Sequence, residues 1–162
     1  MGEKHTISCL VENHFGVLAR VSGLISARGF NIDSLTVSTT EDPTVSRMTV
    51  VVDIDTPQKL GQVKHQLGRL IDVIDVQELK EGEFIDRELL LARVRVNGPN
   101  RGELLQIVDT FGARVADTST DSLVIEAMSD TKQLDALIEL LKPYGITQLV
   151  RTGRIALEKP KG

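Results

Sequence analysis

Twice along its 162 residues the chain runs through the same succession of apolar spacings, and this repetition constrains the fold more than any single motif. Ile7, Cys9 and Val11 alternate as a strand would place them. Val17, Leu18, Val21, Leu24 and Ile25 then recur at helical spacing. Arg28-Gly29 predicts the helix end, because glycine accepts the left-handed conformation favoured at a C-terminus. Residues Asn31 to Thr40 read as a second strand whose alternation slips between Ile32 and Leu35, as at a bulge. A turn at Glu41-Asp42-Pro43 leads into the alternating Met48, Val50, Val52 and Ile54. Thr56-Pro57 sets a capping hydroxyl before a proline suited to the first helical position. Leu60, Val63, Leu67 and Leu70 form that helix's stripe, and a strand from Val73 to Leu79 closes the unit. The order is β-α-β-β-α-β.

After a polar break at Lys80-Glu81-Gly82-Glu83 the pattern begins again. Leu90, Ala92, Val94 and Val96 alternate; Leu104, Leu105, Val108 and Phe111 make a helix face ended by Gly112; Val115 to Thr118 and Leu123 to Met128 flank a turn. Asp130, with Gln133 three residues on, resembles a capping box before Leu134, Leu137, Ile138 and Leu141. Pro143 and Gly145 stop that helix, and Ile146 to Leu157 reads as one last strand. The fold class predicted is α+β, two ferredoxin-like βαββαβ halves with domains at 1–80 and 84–160. Sheets of this kind have open edges and helices on one face only, so association of copies is expected.

Composition removes several classes of function. Nineteen Lys+Arg against 23 Asp+Glu leave a net charge of −4, without the basic surface that nucleic-acid binding requires. The strand order is shared with RNA-recognition modules, but those stack bases on aromatics of the first and third strands. Here the strands read Ile7-Ser8-Cys9-Leu10-Val11 and Met48-Thr49-Val50-Val51-Val52. No apolar run approaches a membrane span, and the N-terminal MGEKHTISCLVENH lacks a secretory pattern, so a cytoplasmic location is expected. Cys9 is the single cysteine, and it falls in a strand predicted to be buried. His5, His14 and His65 show no metal-ligand spacing. The carboxylate pairs Asp53/Asp55, Asp72/Asp75 and Glu81/Glu83 are expected to be solvated charge at edges and linkers. No nucleophile, base and orienting partner assemble, and neither catalysis nor a metal is expected.

The first strand-to-helix junction remains: Glu12, then Asn13, His14, Phe15, Gly16, Val17 and Leu18. A helix's first turn presents unpaired N–H groups and partial positive charge, which suit a carboxylate. Gly16, lacking a Cβ, lets a ligand approach the backbone. Asn13 offers an acceptor for an ammonium group, and Val17 and Leu18 offer apolar wall. These features describe a site for a small amino acid. They equally describe an asparagine that caps a helix and a glycine that eases a turn.

At this junction the sequence resembles a known family. ENxxGVLxRV stands as Glu12-Asn13 to Arg20-Val21, RGFNIxSLTV as Arg28 to Val37, and DPxxSRMT as Asp42 to Thr49. Together they resemble the ACT domain of the acetolactate synthase small subunit. Arg87-Glu88-Leu89 and LVRTGRIALEK resemble the start and closing strand of that family's second domain, with Arg154 where an aliphatic residue is more usual. The resemblance implies a non-catalytic regulatory subunit. Its partner would be the large subunit, which carries thiamine diphosphate, FAD and Mg²⁺ and makes acetolactate or acetohydroxybutyrate from pyruvate. The small subunit would raise that activity and confer feedback inhibition by a branched-chain amino acid, usually valine, in the biosynthesis of these amino acids. It also implies a homodimer through the ACT domain, with the effector held by Asn13 to Leu18 of one copy and Asn31 and Ile32 of the other. A free-standing amino-acid sensor acting on another partner, and an independent small enzyme, are the alternatives.

Overall fold

The computed structural model describes residues 2–162 and divides them between two compact units, 2–85 with Arg154–Gly162, and Asp86–Gly153. In the first unit the elements are β1 (Glu3–Glu12), α1 (Val17–Ala27), β2 (Asn31–Thr39), β3 (Val45–Ile54), α2 (Pro57–Gly68) and β4 (Val73–Leu79). The antiparallel sheet runs β2-β3-β1-β4, and the expected bulge is a register shift between Ile32 and Ser34. Ile7, Cys9 and Val11 of β1 bury one face against Val17, Val21 and Ile25 of α1 and Leu60, Val63 and Leu67 of α2. Local chemistry bounds these helices as read. Gly29 follows α1 with φ +76°, and the Thr56 hydroxyl accepts the Lys59 N–H before Pro57. Burial pushes the Cys9 thiol up to about 12, with the charge of Asp75 adding to it, so at neutral pH this sulfur is a packing group.

The opposite face of β1 is less exposed than its polar residues suggest. Thr6 and Ser8 are buried, and arginines satisfy both: Arg154 Nη1 donates to Thr6 Oγ1 at 2.8 Å and Arg47 Nη1 to Ser8 Oγ at 2.6 Å.

The second unit repeats the pattern with β5 (Phe84–Arg95), α3 (Arg101–Thr110), β6 (Arg114–Thr118), β7 (Ser122–Ser129), α4 (Thr131–Leu141) and β8 (Ile146–Arg151) in the order β6-β7-β5-β8. Leu90, Ala92 and Val94 meet Leu104 and Val108 of α3 and all four predicted residues of α4. Asp130 caps α4, accepting the Gln133 N–H at 2.8 Å.

The long final strand expected over 146–157 is instead two. β8 ends at Arg151, Gly153 takes φ +89°, and β9 (Ile155–Glu158) belongs to the first unit. There Ala156 packs with Leu79 and Phe84, and the Lys159 N–H donates to Glu83 O at 2.9 Å. Arg154 lies over the Phe84 ring, 5.7 Å from its centroid. Arg154 thus anchors the tail, through a cation–π contact and a charged hydrogen bond to a buried hydroxyl. Arg154→Ala should cost about 2 kcal/mol in urea denaturation and speed amide exchange across β9. Unchanged exchange there would show that the tail is held by other contacts.

Candidate functional site

The junction between β1 and α1 is built around one backbone conformation. Gly16 is the N-cap of α1, with φ +81°, and no side chain caps the helix. The first intrahelical bond of α1 runs from Arg20 N–H to Gly16 O at 3.0 Å, so the helix presents its first-turn N–H groups at the loop. Asn13 is not the cap. Its N–H donates to Thr44 O at 2.8 Å and its Nδ2 to Pro43 O at 2.9 Å, which binds the loop to the β2–β3 turn. A carbonyl partner fixes the amide's orientation, so Oδ1 is its acceptor. Phe15 is fully exposed and Leu18 half-exposed, whereas Val17 is buried in the core. Val17 therefore offers its N–H, not the apolar wall expected of it. Leu18 and Phe15 supply the accessible apolar surface.

Four charged groups bracket this loop. His14 Nε2 lies 3.0 Å from both Glu12 Oε2 and Asp72 Oδ1, and Asp72 Oδ2 accepts from Arg20 Nη2. Asp72 was expected to be solvated. It is buried, and its main-chain oxygen accepts the Glu12 N–H at 2.8 Å. The bracket joins the end of β1, the loop, α1 and the α2–β4 connection. The hydrogen bond to Glu12 raises the pKa of His14 above its ordinary value; desolvation partly opposes this, and the Phe15 backbone and the charge of Asp72 add to the rise. Glu12, His14 and Asp72 each bring one ionisable atom to this cluster, all three lying within 4.8 Å of one another. The guanidinium of Arg20 on Asp72 brings positive charge there, which favours an ion-pair network. The sequence reading missed this cluster because Asp72 is distant along the chain; the Arg20 and Asp72 signals were present but nothing local joins them.

Asn31 and Ile32 lie at the other end of the sheet. Glu12 stands opposite Val45 on β3, and Asn31 opposite Asp53, eight residues further along that strand. At the rise of an extended chain this is roughly 27 Å. One copy therefore does not bring the two halves of the predicted site together. Asn31 is exposed, and its Nδ2 donates to Asp33 Oδ1 at 3.0 Å.

Residues 7–75 match the family described as the AHAS small subunit-like ACT domain, and residues 87–160 match that of the small subunit of acetolactate synthase. The acetolactate synthase small subunit of Mycolicibacterium smegmatis is 46% identical over 160 residues, covering 98% of this chain and 93% of that protein. That of Mycobacterium leprae is also 46% identical, over 98% of this chain and 94% of its own. The crystal structure of the acetolactate synthase small subunit from Thermotoga maritima superposes with a TM-score of 0.88 at 30% identity, covering 99% of each chain.

Proposed function

Because the chain belongs to the family of acetolactate synthase small subunits, we propose that it is the regulatory partner of that enzyme. On this reading it raises the activity of a catalytic large subunit and makes it subject to inhibition by valine or another branched-chain amino acid. Thiamine diphosphate, FAD and Mg²⁺ then belong to the large subunit, and this chain supplies the sensor.

The observation that carries the reading is the division of the site between opposite ends of one sheet. Of the two sheet edges, β2 and β4, only β2 has Asn31 on it. Two copies paired antiparallel through β2 would set Asn31 of one beside Thr39 of the other, the end at which the β1–α1 loop lies. A second copy thus completes the site, as two-fold association allows. The effector carboxylate meets the N–H groups of the first turn of α1, and its ammonium meets Asn13 Oδ1. Leu18, with Ile32 of the second copy, receives the aliphatic side chain. A ligand held by both copies favours the paired arrangement that receives it, and a differential affinity of about 1–3 kcal/mol gives the several-fold to hundred-fold control that regulation needs.

Calorimetric titration with L-valine, leucine and isoleucine tests this directly, together with assays of the large subunit with and without the chain. Saturable binding of about one ligand per chain, as two-fold symmetry requires, and stimulation of the large subunit are expected. Binding without any effect on the large subunit would instead identify a free-standing sensor. No binding, with or without the large subunit present, would overturn the effector site.

A further inference from the structure

The effector loop is tied to the remainder of its unit by charges that balance only when His14 carries a proton. Glu12 and Asp72 contribute two negative charges and Arg20 one positive charge; a neutral His14 leaves the bracket at −1, and a protonated one brings it to zero. These groups come from every element around the loop: Glu12 from β1, Arg20 from α1, and Asp72 from the α2–β4 connection. Asp42, on the β2–β3 turn to which Asn13 is bound, is engaged by the N–H and hydroxyl of Thr44 at 2.9 and 2.7 Å. Those bonds hold its carboxyl below the usual range, so it stays anionic and does not change charge with His14. Arg20 also adjoins the ligand-facing backbone, since a Cβ on Gly16 would stand 3.0 Å from its Nη1.

We propose that His14 is a positioning residue that couples effector binding to protonation: with the proton on, the bracket holds the loop and removes the net negative charge beside the effector's carboxylate. The proposal rests on the effector reading above. The sign follows from charge. A carboxylate is disfavoured next to a net −1 and tolerated next to zero, so affinity falls as pH rises through the pKa of His14. By linkage, binding near that pKa takes up protons.

Two measurements on the full chain test it, one of them independent of any effector. In the free protein, an NMR pH titration of the imidazoles, assigned with His14→Gln, should show His14 titrating above an ordinary histidine and returning toward it in Glu12→Gln. Calorimetry with L-valine at pH 6 and pH 8 should show affinity weakening at least about fivefold at the higher pH. Binding should take up protons as His14 titrates, and both effects should vanish in His14→Gln, which keeps hydrogen-bonding capacity without titrating. An ordinary His14 titration, or a pH dependence that survives in His14→Gln, overturns the coupling. Absence of valine binding at both pH values, with His14 titrating high, overturns the effector reading and the coupling with it, while the ion-pair bracket stands.

Discussion

Gly16→Asp is expected to fold, to stimulate the large subunit as the parent does, and to bind no valine. The backbone at this position lies at φ +81°, where aspartate is tolerated at a cost of about 1 kcal/mol. The nearest atom to the new Cβ would be Arg20 Nη1, the far end of a flexible side chain that can move aside. The new carboxylate would stand at the first turn of α1, which has no side-chain cap, and compete for its N–H groups. The effector's carboxylate then loses those donors and faces a like charge, a penalty of several kcal/mol and therefore more than about a hundredfold in affinity. Gly16→Ala adds the Cβ and the strain without the charge, and should weaken binding far less. A folded Gly16→Asp protein that remained fully valine-sensitive when assayed with the large subunit would displace the effector from this junction.

The second large effect concerns stability. Glu88 lies on the core face of β5 with its side chain only 5% exposed, and Arg151 grips it through two parallel bonds, Nε to Oε1 at 2.8 Å and Nη2 to Oε2 at 2.9 Å. Nη1 of the same guanidinium reaches Asp135 of α4 at 3.1 Å, so one side chain links β8, β5 and the helix above them. Removing the arginine leaves a carboxylate that the fold holds largely out of water without its two charged donors. Arg151→Ala should destabilise the second unit by about 3–5 kcal/mol. Replacing both partners by leucine removes the charge along with its counter-charge and should recover most of that loss. Denaturant melts of the two single variants and the double variant measure the coupling. A double variant no more stable than Arg151→Ala would show that packing, not the uncompensated charge, sets the cost.

Much of this architecture was legible in one dimension because its causes are local. Helical stripes at Val17–Ile25 and Leu134–Leu141, the Thr56-Pro57 and Asp130–Gln133 starts, and the slip in β2 each follow from neighbours a few residues apart. The last strand failed for the same reason. Gly153, within the run Arg151-Thr152-Gly153-Arg154, marks a break locally, but nothing nearby says which sheet the chain then joins. Arg154 finds its partners at Thr6 and Phe84, far from it in sequence.

At the candidate site the division is sharper. Residue order alone determined that a strand runs into a helix through Asn13-His14-Phe15-Gly16, with a glycine where the backbone requires positive φ, because backbone sterics and helix ends act over one turn of chain. Tertiary structure decided the rest. It turned Val17 inward, gave Asn13 to the β2–β3 turn, buried Asp72 beside His14 and Arg20, and set Asn31 at the far end of the sheet. Each depends on which distant strand or connection lies alongside. Coulombic and hydrogen-bonding partners are chosen by distance in space, whereas periodicity in a sequence records only distance along the chain.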